Sequence, residues 1–320
     1  MRQMGTVASI ALVAALMVGC GQEEPQAKKA EGKGTIGLSV LTLTNPFFKE
    51  IADAMAAEAE ENGYTVLVTS GEFDVAKQQN QVKDFIVRKV SAIVLCPCDS
   101  KSIGPAVKEA NEAGIPVFTA DIACLAPEAK VVAHIATDNY GGGKFAATAL
   151  IEAIGGQGKV AIIDHPEVES VILRTKGFEE QLAEENKKPD VDVQVVAKLP
   201  GGGARDKSFK TMQDILQAHA DVVGIFAIND PSALGACAAL EKAGKIGQVK
   251  VVGFDGQLEG KQAIKEGKIY ADPIQFPDRI GQQTVQAIVQ YFKGETLEPE
   301  ILIPTALYRK ADAEKDPALK

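Results

Sequence analysis

The sequence predicts an α/β protein built from two doubly wound lobes. From Thr35 onward, short β-branched runs alternate with stretches of helical periodicity. The strand-like runs are apolar at nearly every position, which is typical of parallel strands covered on both faces by helices. The alternation falls into two successive series, and each series is long enough for one lobe.

The first series predicts four strands and three helices. Ile51 with Met55, and Val82 with Phe85, lie about one helical turn apart, and Gly63 can end the first helix in a left-handed conformation. In chain order the elements are strand 36–41, helix 47–62, strand 64–69, helix 74–88, strand 92–95, helix 101–113 and strand 115–119.

The second series continues the same alternation. It comprises helix 140–154, strand 159–164, helix 169–186, strand 191–197, helix 205–219, strand 222–227, helix 231–243 and strand 249–254. Single helices between strands give parallel pairing, so the loops that follow the strands meet at one edge of each sheet. We expect the functional side chains at those edges.

The composition excludes several classes of protein. The chain has 43 acidic and 34 basic residues, for a net charge of −9, and therefore offers no basic face for nucleic acid. Its three His are scattered singly, and the segment 155–159 lacks the Ser or Thr of a phosphate-binding loop. We therefore predict no enzyme activity, no cofactor and no metal site.

The N-terminus predicts export. Arg2 precedes an apolar run at 7–18 that is shorter than the roughly 20 residues of a membrane span, so residues 1–19 are predicted to be a signal peptide. The residues before Cys20 resemble a bacterial lipobox, in which Cys20 is lipidated and becomes the mature N-terminus. Residues 20–34 are polar and predicted to be a flexible tether. Ordinary signal peptidase cleavage and an uncleaved anchor remain alternatives.

Polar and aromatic residues follow several predicted strands. Carboxylates and amides pair with ligand hydroxyls, and an aromatic ring stacks on the C–H face of a sugar, so this set predicts a polyhydroxylated ligand. Taken singly, each residue also has a structural interpretation as a helix cap, a turn or core packing. The residues are Asn45, Phe47, Phe48, Asp121, Asn229, Asp255 and Gln275.

Five segments carry a family resemblance. In order they are Thr-Leu-Thr-Asn-Pro-Phe-Phe at 42–48, Ile-Pro-Val at 115–117, His-Ile-Ala-Thr-Asp-Asn at 134–139, Phe-Ala-Ile-Asn-Asp at 226–230 and Val-Gly-Phe-Asp-Gly at 252–256. From Thr35 to about Arg309 the chain resembles a ribose-type periplasmic sugar-binding protein, the substrate-binding component of an ABC importer. The resemblance implies a monomer that binds its ligand without catalysing a reaction.

The resemblance also implies the type I periplasmic binding protein fold. Two Rossmann-like lobes are joined by a hinge of three chain crossings, here near Asp138, near Gln275-Phe276 and near Ile303-Pro304. The expected N-terminal lobe is 35–137 plus 276–303, and the C-terminal lobe is 138–275 plus 304–312. Residues 313–320 form a tail.

Carrying the family's sugar contacts over gives the seven polar and aromatic residues above, with Phe47 as the stacking ring. Three departures stand beside them. Ile122 follows Asp121 where the family has arginine, Ile172 aligns with a second arginine although Arg174 stands two places on, and residues 201–203 are glycines where the family has an aromatic ring. With both arginines replaced, the sequence disfavours ribose and favours a deoxy-sugar, a polyol or a furanose derivative.

Two functions are consistent with this set. In the first, an extracytoplasmic lipoprotein of the periplasm or cell envelope captures a sugar-like solute and delivers it to an ABC permease. In the second, a sensory module presents the ligand to a chemoreceptor or sensor kinase. The four cysteines after Cys20 leave open a bridge between Cys98 and Cys124, a bridge between Cys96 and Cys124, or free buried thiols.

Replacing Cys20 tests the predicted anchor. Cys20→Ala removes the sulfur that would carry the lipid, so the variant is expected in the soluble fraction or mislocalised while the unmodified protein partitions with membranes. Cell fractionation and mass spectrometry of the mature N-terminus measure this. A wild-type protein that is fully soluble and begins after Cys20 would contradict the lipobox interpretation.

Overall fold

The computed structural model describes residues 32–319 and, apart from them, only Met1. The predicted signal peptide, Cys20 and most of the tether fall within residues 2–31, outside the described part of the chain. Among the helices of residues 32–319, none combines the length and the apolar character that crossing a membrane requires.

Within residues 32–319, twelve strands and ten helices follow one another, with β4-β5 and β11-β12 as consecutive strands. The first half comprises β1 (Gly34–Val40), α1 (Pro46–Glu61), β2 (Tyr64–Ser70), α2 (Val75–Val87), β3 (Ala92–Leu95), α3 (Gly104–Glu112), β4 (Val117–Ala120), β5 (His134–Thr137), α4 (Asn139–Ala153), β6 (Gln157–Asp164) and α5 (Glu169–Glu185). The second half comprises β7 (Asp192–Pro200), α6 (Arg205–Ala218), β8 (Val222–Ala227), α7 (Asp230–Lys242), β9 (Lys250–Val252), α8 (Leu258–Lys265), β10 (Ala271–Ile274), α9 (Pro277–Phe292), β11 (Glu300–Ile303), β12 (Ala306–Arg309) and α10 (Lys310–Ala313), with a 3₁₀ turn at Pro317–Leu319.

The strands form two six-stranded sheets. The first has the order β11-β5-β4-β3-β1-β2 and the second β12-β10-β9-β8-β6-β7. Every pair is parallel except β10 with β12. The predicted α/β class with two doubly wound lobes is confirmed.

The chain passes between the sheets three times. It leaves the first sheet after β5, returns after β10 through α9 to β11, and leaves again to reach β12. Helix α9 packs against α1, β4 and β5, so it belongs to the first lobe. Each lobe is therefore assembled from separate parts of the chain.

Apolar strands supply the core of each lobe. Strands β3 and β4 are buried along their whole length, and the alternate positions Ile36, Leu38 and Val40 of β1 are fully buried. Helix α1 covers this sheet with Ile51 and Met55, as its spacing predicts. Removing such side chains from water contributes about 25 cal/mol per Å² of apolar surface.

Several elements differ from the sequence prediction. Strand β5 and all elements after β9 were not predicted as elements. Helix α3 begins at Gly104 rather than at 101, because the Asp99 carboxylate accepts the N–H groups of Lys101 and Ser102 and holds them in a turn. Strand β9 ends at Val252 rather than at 254, and beyond it Asp255, with a φ of 105°, keeps an isolated parallel bridge to Ile274 of β10.

Of the three alternatives left open for the cysteines, the structure shows free thiols, and neither bridge to Cys124 is formed. Cys96, Cys98, Cys124 and Cys237 are all free thiols. The Cys98 sulfur lies 3.7 Å from the Leu41 carbonyl oxygen, and burial raises the pKa of this thiol to about 12. Buried thiols with a raised pKa are poor nucleophiles, so Cys96, Cys98 and Cys237 act as small core residues, while Cys124 is half-buried.

Helices α4 and α5 touch through backbone atoms. A Cβ added to Gly143 would lie 2.1 Å from the carbonyl oxygen of Arg174, and one added to Gly177 would lie 2.1 Å from that of Tyr140. A side chain at either glycine therefore requires the helices to separate. This close approach fixes the position of α5, the helix that carries Arg174.

Gly143→Ala tests this contact. We expect the free energy of unfolding to fall by about 1–3 kcal/mol because the added methyl group overpacks the helix pair. Thr148→Ala, on the exposed face of the same helix, is the matched control. Urea denaturation measures both variants, and a Gly143→Ala protein as stable as the control would show that α5 is held elsewhere.

Candidate ligand-binding site

A cavity lies where the carboxyl ends of the two sheets face each other. About 410 Å³ of space, open solvent included, lies between its lining residues. Of the nine residues predicted to bind ligand, eight line this cavity: Asn45, Phe47, Phe48, Asp121, Ile122, Asn229, Asp255 and Gln275.

Ile172 is the exception, and its predicted place in the site is wrong. Its side chain is 38% exposed and does not line the cavity, whereas Arg174 is 3% exposed and does. Helix α5 advances about 100° per residue, so Ser170, Val171 and Arg174 share the cavity face while Ile172 points to solvent. The expectation that an isoleucine replaces the second arginine is therefore also wrong.

Arg174 is fixed by four neighbours. Its Nε donates to Asn139 Oδ1 at 2.8 Å, and its Nη1 donates to the Ile228 carbonyl oxygen at 2.8 Å and to Asp255 Oδ1 at 3.1 Å. The guanidinium carbon lies 3.9 Å from the centre of the Phe254 ring, a cation–π contact. The planar cation is held rigidly against the cavity wall.

Asp255 joins this arginine to the chain crossing after β10. Its Oδ1 also accepts a hydrogen bond from Gln275 Nε2 at 2.7 Å, and the Gln275 N–H donates to the Asp255 carbonyl oxygen at 2.8 Å. Burial raises the pKa of Asp255, while Arg174 and Gln275 oppose that rise. Gln275 Oε1 has no hydrogen-bond partner within the described chain, so it remains free to accept a ligand hydroxyl.

Asp121 faces Asp255 from the first lobe. It has a left-handed backbone, with a φ of 63°, and its Oδ1 has no partner among residues 32–319. Burial raises the pKa of Asp121 to about 7, with Arg174 lowering it and Asp255 raising it. Its neighbour Ile122 is 1% exposed and makes the adjoining wall apolar.

Two further aspartates lie near Asp255 in the second lobe. Asp230 and Asp272 are both buried, and Asp230 Oδ2 accepts the Gln257 N–H at 2.6 Å. Burial, with mutual repulsion from Asp272, raises the pKa of Asp230, and burial raises the pKa of Asp272 to about 7. Arg174, the one guanidinium among the lining residues, is already paired with Asp255, so the cavity wall has no unpaired guanidinium for an anionic ligand.

Four aromatic residues line the cavity wall. Phe47 and Phe48 pack edge to face with ring centres 5.3 Å apart, and both line the cavity. Phe73 and His165, which sequence reasoning missed, line it as well, with ring centres 6.4 Å apart. Phe73 gave no sequence signal, because it lies in a loop with an unusual φ of 60°. His165 directly follows β6, a position of the kind that identified the other polar residues.

Gly203 lies beside His165. A Cβ added there would be 3.1 Å from His165 Nδ1 and 3.3 Å from Asn229 Nδ2. Because residues 201–203 are glycines, this segment contributes no aromatic ring from the second lobe. The His165 ring lines the adjoining part of the cavity wall. Burial lowers the pKa of His165, which keeps the imidazole neutral near pH 7.

Asn45 and Asn229 are helix caps as well as cavity residues. Asn45 Oδ1 accepts the Phe47 N–H at 3.1 Å, and Asn229 Oδ1 accepts the Ser232 N–H at 2.9 Å. The two interpretations offered by the sequence are compatible, because the caps fix each amide at the cavity edge. Asn45 Oδ1 also accepts from Gln257 Nε2 at 2.8 Å, across the two lobes.

No group of three or more His, Cys, Asp or Glu within the described chain is arranged to hold a metal ion. What the geometry defines is a two-lobed α/β binding protein with a polar cavity at the converging strand ends. A model of the periplasmic binding protein domain matches residues 36–296, and the chain belongs to this family. Its members bind ligands and are not enzymes.

Curated relatives and solved structures agree with this assignment. The chain is 38% identical to the ribose import binding protein of Salmonella typhimurium, covering 88% of this chain and 92% of that one. It is 33% identical to the D-apiose import binding protein of Paraburkholderia graminis, covering 89% and 90%. An ABC transporter solute-binding protein of Agrobacterium vitis with bound D-fucose superposes with a TM-score of 0.81 at 30% identity, covering 89% and 98%.

The buried carboxyl of Asp121 predicts a specific pH dependence. In the unfolded chain its pKa is about 3.9, so between about pH 4 and 7 the folded state holds a proton that the unfolded state has lost. Binding of this proton favours the folded state, and that stabilisation is fully present below pH 4. The free energy of unfolding then falls as the pH rises to 7, by at most about 1.4 kcal/mol per pH unit.

Asp121→Asn replaces the titrating carboxyl by an amide and so removes its pH-dependent effect on stability. We therefore expect the stability of Asp121→Asn relative to wild type to increase from pH 4 to 7 and then to level off. Urea denaturation across this range measures it, with the exposed Asp214→Asn as the control for the same chemical change. A difference that does not vary with pH would show that Asp121 is ionised throughout.

Proposed function

We propose that this protein binds a neutral monosaccharide or polyol in the cavity and serves as the binding component of an ABC importer. The arrangement around Arg174 and Asp255 carries the proposal. Unpartnered acceptors at Asp121 Oδ1 and Gln275 Oε1, together with the Nη2 donors of Arg174, suit hydroxyl groups that both donate and accept.

Two phenylalanine rings in the cavity wall suit the apolar C–H face of such a ligand. Phe47 presents an aromatic surface at the cavity wall, and we propose it as the ring that stacks on the ligand's C–H face. Phe48 supports it edge to face. Asn45 and Asn229 then supply amide groups from opposite lobes.

The relatives support the transport role. Those quoted are named as import binding proteins for ribose and D-apiose, and the solved relative holds D-fucose. Because these relatives are named as import proteins, delivery of the ligand to a permease is favoured over the sensory alternative. We place the protein in the periplasm or cell envelope, anchored through Cys20 and acting as a monomer.

Ile122 narrows the ligand class. Arg174 supplies one of the two arginines expected from the family pattern, but Ile122 offers no hydrogen bond beside Asp121. A hydroxyl facing Ile122 would lose its water partners without replacement, which costs about 1–3 kcal/mol. We therefore propose a deoxy-sugar, a polyol or a furanose derivative in preference to ribose.

Binding is proposed to close the two lobes. The ligand-facing groups are divided between them, with Asn45 and Asp121 on residues 35–137 plus 276–303, and Asn229 and Asp255 on residues 138–275 plus 304–312. A ligand gains both sets of contacts only when the lobes approach, and binding then shifts the population toward the closed form.

Calorimetry with a ligand panel tests the proposed class. D-ribose, 2-deoxy-D-ribose, D-apiose and xylitol are compared on the unmodified protein, and we expect at least one of the last three to bind more tightly than D-ribose. Ile122→Arg is expected to shift the preference toward D-ribose because it adds donors beside Asp121. Tight ribose binding with no gain for the other three would contradict the argument from Ile122.

Asp255→Asn tests the centre of the site. Losing a charged acceptor is expected to weaken the tightest ligand of the panel by about 10- to 100-fold, since hydrogen bonds to charged groups contribute about 1.5–3 kcal/mol. Calorimetry gives the affinity and circular dichroism confirms that the variant folds. The remote Asp214→Asn is the control, and equal affinities in the two variants would remove Asp255 from the site.

A further inference from the structure

Ser100 joins the two lobes at the start of helix α5. It belongs to the loop after β3 in the first lobe, and α5 belongs to the second. The Ser100 N–H donates to the Glu167 carbonyl oxygen at 3.0 Å, and Ser100 Oγ accepts the Glu169 N–H at 2.9 Å. Ser100 is 1% exposed, so both bonds are shielded from water.

Helix α5 has no cap of its own. Its N-cap residue is Val168, whose side chain cannot accept a hydrogen bond, and the structure records no side-chain cap from within the segment. The first N–H groups of a helix need external acceptors. Ser100 supplies one for Glu169, so the missing cap of a second-lobe helix comes from the first lobe.

The loop that carries Ser100 is held in place. The Asp99 carboxylate accepts the N–H groups of Lys101 and Ser102 at 2.9 and 2.6 Å, and the Ser100 carbonyl oxygen accepts the Leu125 N–H at 2.7 Å. The hydroxyl is therefore presented to α5 by a loop fixed to its own lobe.

Ser100 does not line the cavity, but α5 does so through Ser170, Val171 and Arg174. We propose that Ser100 is a closure latch: a positioning residue whose bonds to Glu167 and Glu169 form only when the lobes close and which slows ligand release without touching the ligand. This inference rests on the proposed closure of the lobes around a sugar or polyol.

The latch predicts a kinetic signature. Opening exchanges the Ser100 cap for water, so removing the hydroxyl destabilises the closed form while the open form and the ligand contacts stay the same. Ser100→Ala is expected to release ligand about fivefold faster, the ratio that a typical N-cap contribution gives. The association rate should be unchanged, since affinity changes of this kind fall on dissociation.

A second variant tests the backbone N–H of Glu169, which donates to Ser100. Glu169 is the first residue of α5, where proline is tolerated, so Glu169→Pro deletes the donated N–H while keeping the helix start. Glu169→Ala is the matched control for the lost carboxylate. We expect Glu169→Pro to release ligand about fivefold faster than Glu169→Ala, and Ser100→Ala to add nothing in the Glu169→Pro background.

Release of a radiolabelled ligand, measured by rapid filtration, provides the test on the full chain. The probe is whichever of D-ribose, 2-deoxy-D-ribose, D-apiose and xylitol binds the wild type most tightly. Unchanged release in Ser100→Ala, or effects of the two variants that add rather than overlap, overturns the latch and leaves the proposed function intact. A wild type that binds none of the four overturns the proposed function for this panel and, with it, the latch.

Discussion

The buried ion pair between Arg174 and Asp255 is the interaction on which the site depends. A charge removed from water is tolerated only when its partners are complete. Arg174 obtains them from Asn139 at the start of α4, from the Ile228 carbonyl after β8 and from Asp255 after β9. One side chain thus fixes the relative positions of loops from three parts of the second lobe.

The backbone around the Arg174–Asp255 ion pair brings the two side chains into position. Gly143 lets α4 approach α5 to backbone contact, which brings Arg174 within reach of Asn139. Asp255 has a φ of 105°, a conformation that costs about 1–3 kcal/mol for a residue other than glycine. The hydrogen bonds from Arg174 and Gln275 offset that cost and direct the carboxylate into the cavity.

The sequence was sufficient for the architecture and for part of the site. Uniformly apolar strands and single intervening helices identify parallel sheets, and parallel sheets bring the loops after their strands together. Asn45 and Asp255 could therefore be assigned before any coordinates. Phe73 could not, because it lies in a loop between β2 and α2 with a φ of 60° and so in no periodic pattern. His165 directly follows β6, so the same rule could have identified it. Ile172 was misplaced because an alignment error of two residues moves a helical side chain by about 200° around the axis.

The central claim is that two lobes enclose a neutral hydroxylated ligand, and small-angle X-ray scattering tests it most directly. The protein is measured alone and with a saturating amount of its tightest panel ligand, with a sugar that it does not bind as the control. The account predicts a smaller radius of gyration only with the bound ligand, because contacts from both lobes are completed on closure. A radius of gyration that is unchanged at saturation would contradict it.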